Sequence, residues 1–246
     1  MGREIILKTS QDEPFNAYIA GDEAADSAVL ILHEWWGVMP HNRLWADRLA
    51  DIGHLALVVD LYDGRTTDDP ALAAEMMRNI DQKDADRKLM AAVGFLHASG
   101  RRVATFGCSF GGKESMRASL LQADKVSATI VAYCRMETDV GRLKKLSGSV
   151  LAIYAQQERN WPEKQEAFET AMRAAGKETE SIGFDAAHGF TNPTSPRYDE
   201  TADKASWARI VDFLQRHLAR MFHPFLNLAG DMAKLGWFAL TGNQTS

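Results

Sequence analysis

Cysteine is scarce: Cys108 and Cys134 are the two in a chain of 246 residues. Two cysteines define no disulfide framework, and a reducing compartment, the cytoplasm, is the expected setting. Long apolar runs are missing as well. No uncharged stretch reaches the ~18 residues that a membrane-spanning helix needs, so no span is expected. The opening segment, MGREIILKTSQDEP, lacks the apolar core of a secretory leader, and Ile6 stands where a myristoylation signal has Ser or Thr. Basic blocks are absent too. Lys and Arg total 28 against 33 Asp and Glu, for a net charge of −5. Nucleic acid, whose binding takes clustered cations, is therefore not an expected partner. The stretch His33-Glu34-Trp35-Trp36-Gly37 starts like a zinc-binding helix motif, but Gly37 occupies the place of the second His. No metal or other cofactor is expected.

What remains is an ordinary globular composition, 46% hydrophobic and 25% charged. Strand-like and helix-like segments alternate. Residues 3–8 and 14–20 alternate apolar and polar side chains, as a hairpin at a sheet edge does. Continuous apolar runs at 28–33 (AVLILH) and 55–59 (LALVV) suit strands buried on both faces. Further strands are expected at 103–106, 126–133, 150–154 and 179–184. Helical spacing marks 41–52, 71–79, 84–98, 110–121, 162–175 and 202–221. This alternation predicts an α/β fold, a mainly parallel sheet with helices on both faces. Residues 1–221 are expected to form one domain, with 222–246 as an apolar C-terminal extension.

The strongest local signal is Gly107-Cys108-Ser109-Phe110-Gly111, fed by a buried strand and followed at once by a helix. This strand–turn–helix setting of Gly-x-Ser-x-Gly resembles the nucleophile elbow of the α/β-hydrolases. So tight a turn needs small residues two before and two after its centre. Centred on Ser109, both positions are Gly; centred on Cys108, they would be Phe106 and Phe110. Ser109 is therefore the expected nucleophile and Cys108 a small buried neighbour.

A serine hydroxyl needs a base, and the base needs an orienting carboxylate. In α/β-hydrolases the chain order is Ser, acid, His. Downstream of Ser109 stand His188, His217 and His223. His217 falls within the helix expected at 202–221 and His223 beyond it, whereas His188 follows the strand at 179–184 directly. His188 is the expected base. Glu158 is the sole carboxylate between the strand at 150–154 and Trp161-Pro162, which makes it the expected acid; Asp185 is the alternative. The loop after the strand at 28–33 is placed to offer a backbone N–H to an oxyanion, with the N–H of Phe110 as the second donor.

LHEWWG at 32–37, DLYDGR at 60–65, FGCSFGG at 106–112 and AHGF at 187–190 together resemble the dienelactone hydrolase (carboxymethylenebutenolidase) family. The resemblance runs from about residue 3 to residue 221. It implies that Glu34 acts on the nucleophile, and that Trp35 supplies the oxyanion N–H beside Phe110. Three positions depart from the family. Ser109 replaces its Cys, Glu158 its Asp, and Asn192 the Arg that helps hold a substrate carboxylate; Arg65 and Arg78 are candidates for that last task. A serine hydroxyl does not ionise as a thiol does, so activity would rest on His188. The expected function is hydrolysis of a small ester or lactone. An acyltransferase and a non-catalytic ligand-binding protein of the same fold are the alternatives. The stretch 222–240 reads as self-packing or a homodimer contact in preference to a membrane surface.

Overall fold

The structure is a computed structural model and describes residues 2–219. The extension expected at 222–246, with any dimer contact it makes, lies outside these residues.

Eight strands form one sheet in the order β1-β2-β4-β3-β5-β6-β7-β8. They are β1 (Arg3–Lys8), β2 (Pro14–Ala20), β3 (Ser27–Leu32), β4 (Leu55–Val59), β5 (Arg102–Cys108), β6 (Val126–Ala132), β7 (Ser149–Ala155) and β8 (Thr179–Phe184). The β1–β2 hairpin runs antiparallel at one edge, and every pair from β4 to β8 is parallel. All residues of β3 and β4 are buried. That is the environment their unbroken Val, Leu, Ile and Ala content demands, since helices cover both faces.

The helices are α1 (Pro40–Asp51), α2 (Pro70–Arg78), α3 (Gln82–His97), α4 (Phe110–Leu121), α5 (Val140–Leu143), α6 (Glu163–Ala174) and α7 (Glu200–Leu218). Trp45 and Leu49 of α1 share one core cluster with Ile210, Phe213 and Leu214 of α7. Leu89, Ala92 and Val93 of α3 share a second with Phe110 and Ala118 of α4. A third lies under α6, around Phe168 and Met172. Among the described residues, no helix is long and apolar enough to cross a membrane.

The starts of α2, α3 and α7 come one or two residues earlier than the spacing-based reading, and the cause is capping. Asp69, Asp81 and Asp199 each accept backbone N–H groups of the first turn, starting α2, α3 and α7 earlier than their apolar stripes do. The four-residue α5, capped by Asp139, is too short to display a helical period and was not expected.

The winding places the site. From β3 the chain crosses to β4 on one side; β5 then lies on the other side of β3 and continues to β6. The connections leaving the adjacent ends of β3 and β5 therefore diverge, and a crevice opens there at the carboxyl edge of the sheet. Register aligns the strand ends: Leu32 sits opposite Gly107, Cys108 opposite Ala132, and Ala155 opposite Phe184. Every candidate catalytic loop consequently leaves the same edge.

Candidate active site

Strand β5 runs to Cys108, and α4 begins at Phe110, so Ser109 makes the whole turn alone. It does so with φ +54° and ψ −119°, a conformation costly to a residue with a side chain and tolerated where the surroundings impose it. Crowding around the turn explains the glycines. A Cβ on Gly107 would lie 2.1 Å from the Gly111 carbonyl oxygen, and one on Gly111 would lie 2.2 Å from that of Leu32. Strand, turn and helix pack backbone to backbone, leaving Ser109 as the side chain projected into the crevice.

Among the described residues, the Ser109 hydroxyl has the His188 imidazole as its hydrogen-bond partner. Ser109 Oγ–H donates to His188 Nε2 at 2.8 Å, and His188 Nδ1–H donates to Glu158 Oε1 at 2.5 Å. The other Glu158 oxygen accepts from Lys164 Nζ. Burial pushes the Glu158 carboxyl up, but the bonds from His188 and Lys164 outweigh it and hold the group below the usual carboxylate range. The acid is thus ionised at neutral pH and fixes the tautomer that leaves Nε2 free to accept a proton. Two further contacts tie the acid loop to the base loop. Gln157 N–H donates to the Ala186 carbonyl at 3.2 Å, and Gln157 Nε2 to Asp185 Oδ1 at 3.1 Å. The Asp185 carboxylate is exposed and spent on Gln157, while His217 packs against Phe213 away from the crevice. His188 meets the buried Tyr133 ring edge-on at 5.1 Å.

Cys108 faces the core at 1% exposure. Burial, and then the Glu34 charge, push its thiol far above the usual range, so it forms no thiolate near neutrality.

Phe110 follows Ser109 directly, and Trp35 lies three residues past the end of β3, in the other of the two connections that diverge from β3 and β5. Phe110 opens α4, and the first N–H of a helix has no intrahelical acceptor. Trp35 is an inner residue of a turn closed by Gly37 N–H donating to the Glu34 carbonyl at 3.2 Å, a bond that does not engage the Trp35 N–H. Gly37 sits at φ +85°, and a Cβ there would lie 2.3 Å from the Arg65 carbonyl oxygen. Beneath the turn, buried His33 donates from Nδ1 to the Glu34 carbonyl at 2.6 Å and accepts at Nε2 from Leu61 N–H at 3.1 Å. Burial lowers the His33 pKa, which keeps the ring neutral, as this donor–acceptor pattern requires.

Four of the expected site residues make other contacts in this structure. Glu34, 3% exposed, does not reach the Ser109 hydroxyl; its carboxylate accepts from His41 Nε2–H at 3.0 Å. A buried carboxylate takes the nearest available donor, and α1 presents one. Arg65 borders a separate cavity with Tyr62 and Asp63. Arg78 is exposed at the end of α2, whose adjacent Met77 is the residue that lines the crevice. Asn192 is buried, and its Oδ1 accepts from Thr194 N–H at 3.0 Å and Thr194 Oγ1–H at 2.8 Å, so it shapes its own loop.

The crevice holds about 700 Å³, with Ser109, Glu158 and His188 in its wall. Its cations are Lys113, Arg135 and Lys164, none anticipated from the sequence. Lys164 is committed to Glu158 and Lys113 pairs with Glu114. The available signal was positional: Tyr133 to Met136 follow a buried strand directly, where ligand-facing residues of such sheets sit.

The dienelactone hydrolase family profile matches residues 15–218. A carboxymethylenebutenolidase of Rhodococcus opacus is 24% identical over 217 residues, covering 82% of this chain and 85% of that one. Among solved structures, a dienelactone hydrolase-like promiscuous phosphotriesterase from metagenomic libraries superposes with a TM-score of 0.77 at 21% identity, covering 89% of this chain and 99% of that one. Dienelactone hydrolase from Anabaena variabilis does so with a TM-score of 0.70 at 18% identity, over 89% and 99%. Those two likenesses bear on the fold, which is that of the α/β-hydrolases. The profile match spans most of the chain, including the elbow and the loop of His188, and the protein belongs to the dienelactone hydrolase family of hydrolases.

Proposed function

We propose that this hydrolase cleaves a small carboxylic ester or lactone through an acyl-enzyme on Ser109. The observation that carries the reading is the relay from Ser109 through His188 to ionised Glu158, opening into a crevice able to hold a small organic molecule. As Ser109 Oγ attacks the acyl carbon, His188 Nε2 takes its proton. The N–H groups of Trp35 and Phe110 hold the oxyanion. His188 then passes the proton to the departing alkoxide, and the alcohol leaves. Water, activated by the same imidazole, attacks the acyl carbon and releases the acid. Glu158 orients the ring and stabilises its charge during both transfers.

Phe110, Met77, Met136 and Ala167 supply apolar wall, and Arg135 has no partner among the described residues. The substrate that suits this lining has an apolar body and one anionic group. A panel of aryl esters and lactones, neutral and carboxylated, tests the reading. Wild type should turn over members of the panel and react at Ser109 with a fluorophosphonate. Ser109→Ala should lose both, with turnover down on the order of 10⁴-fold or more. Activity that survives Ser109→Ala and vanishes in Cys108→Ala would remove the assignment. Transfer of the acyl group to an added alcohol or amine in preference to water would replace hydrolysis by acyl transfer.

A further inference from the structure

Lys164 is the second residue of α6, and its position is unusual in two respects. The first turn of a helix carries the positive end of the peptide dipole and disfavours a cation. The neighbours obey that rule: the acidic residues of this turn are Glu163 and Glu166. The Lys164 side chain is also 11% exposed, although lysine is seldom buried without a partner. Its partner is the acid of the relay. Glu158, 12% exposed at its side chain, gives Oε1 to His188 and Oε2 to Lys164. The backbone prepares the pairing, since Lys164 N–H donates to the Asn160 carbonyl at 3.0 Å and Trp161 N–H to the Glu158 carbonyl at 3.1 Å. One short loop thereby delivers carboxylate and ammonium to the same point.

We propose that Lys164 is a positioning residue of the catalytic relay: it clamps the second oxygen of Glu158 so that the first stays aligned on His188. A glutamate has one more side-chain torsion than an aspartate. A carboxylate held only at Oε1 would be free to swing about it and would hold the imidazole loosely. A cation at Oε2 removes that freedom and keeps the acid charged despite its burial. On this view Lys164 is what lets a glutamate serve as the acid here. The proposal rests on the Ser109–His188–Glu158 reading above.

The test is steady-state kinetics on a neutral aryl ester, with Lys164→Met and Lys164→Arg beside wild type. Lys164→Met should lower kcat by about 10- to 100-fold, the cost of misplacing a catalytic group by a fraction of an ångström to an ångström. KM should move less than threefold, because a neutral ester makes no use of the ammonium. Lys164→Arg should recover most of the lost kcat. The His188 Nδ1–H proton, bonded at 2.5 Å to Glu158, should give a far-downfield proton NMR resonance in wild type and in Lys164→Arg. It should broaden or vanish in Lys164→Met while the melting temperature stays within a few degrees. A rise in KM alone would make Lys164 a substrate contact and overturn the proposal. So would an unchanged kcat, or a loss of kcat with the resonance intact. Failure of the underlying relay would show differently, as wild type that neither hydrolyses esters nor reacts with a fluorophosphonate.

Discussion

Adding one methyl group at Gly111 should cost this protein both stability and catalysis. The Cβ of Gly111→Ala would lie 2.2 Å from the Leu32 carbonyl oxygen and 2.6 Å from that of His33. Close carbon–oxygen contacts settle at about 3.3 Å, so roughly 1 Å of separation must be created. Both obstacles are backbone and no rotamer change relieves them. Either the start of α4 moves, carrying Ser109 and Phe110, or the end of β3 moves, carrying Trp35. Overpacking of a rigid site typically costs about 1–3 kcal/mol, and an ångström of displacement costs about 100-fold in rate. Gly94→Ala in α3 is the control, because nothing lies within 4 Å of its added Cβ. Alanine is the better helix former there, and a gain of about 0.5–1 kcal/mol is expected with kcat unchanged. Denaturant unfolding and ester hydrolysis on the two variants provide the comparison. Gly111→Ala with wild-type stability and a kcat within threefold would refute the claim that the elbow is braced by backbone contact.

Three further outcomes are expected. Cys108→Ala should keep kcat within about threefold while losing on the order of 1 kcal/mol of stability for the vacated sulfur volume; a catalytic collapse with the fold intact would make the thiol chemically active. Arg135→Gln should raise KM about three- to tenfold for a carboxylated ester and leave its neutral isostere unchanged, the modest effect of a half-solvated ion contact; equal KM changes on both esters would remove Arg135 from substrate recognition. Burial lowers the pKa of His33 and of His54, so the unfolded chain binds more protons just below the ordinary imidazole value of about 6.5. Stability should therefore be flat above that pH and fall below it by up to about 1.4 kcal/mol per pH unit for each ring; calorimetric melting temperatures constant from pH 7.5 down to 5 would contradict the assignment of both rings as neutral.

The sheet was legible because its physics is local to each segment. Ala28–Leu32 and Leu55–Val59 are continuous apolar runs, and a strand buried on two faces needs nothing else. Ser109, His188 and Glu158, the expected relay, are brought within hydrogen-bond reach of one another for a similar reason: a loop leaving the carboxyl end of a buried strand has few places to put a functional group. The candidates that lie elsewhere than expected share a physical origin as well. Arg65 and Arg78 lie on loop and helix segments whose facing depends on how α2 docks, which no periodicity encodes. Glu34 was expected from family resemblance to act on the nucleophile, and its hydrogen-bond partner in the structure, His41, comes from another element. Distances between elements, unlike burial within one, are set by the assembled packing.

Residues that break local rules are informative in proportion to how badly they break them. Ser109 at positive φ, a carboxylate buried at the end of β3 and a lysine in the first turn of α6 are each unfavourable taken alone. All three sit at one edge of one sheet, Glu34 and Ser109 just past the ends of β3 and β5 and Lys164 at the start of the helix that follows β7. Stability selects against such features wherever they do no work, so their concentration here marks the edge where something other than stability decided the residue. On the proposed function, for Ser109 that something is exposure of a nucleophile, and for Lys164 it is the alignment of Glu158. Glu34 is the case still to be separated. Its pairing with His41 satisfies its charge, so Glu34→Gln tests whether the pair serves packing alone. Loss of stability with kcat preserved would make it structural. A fall in kcat in a variant that melts normally would mean that its field, acting through the base of the elbow, reaches the reaction after all.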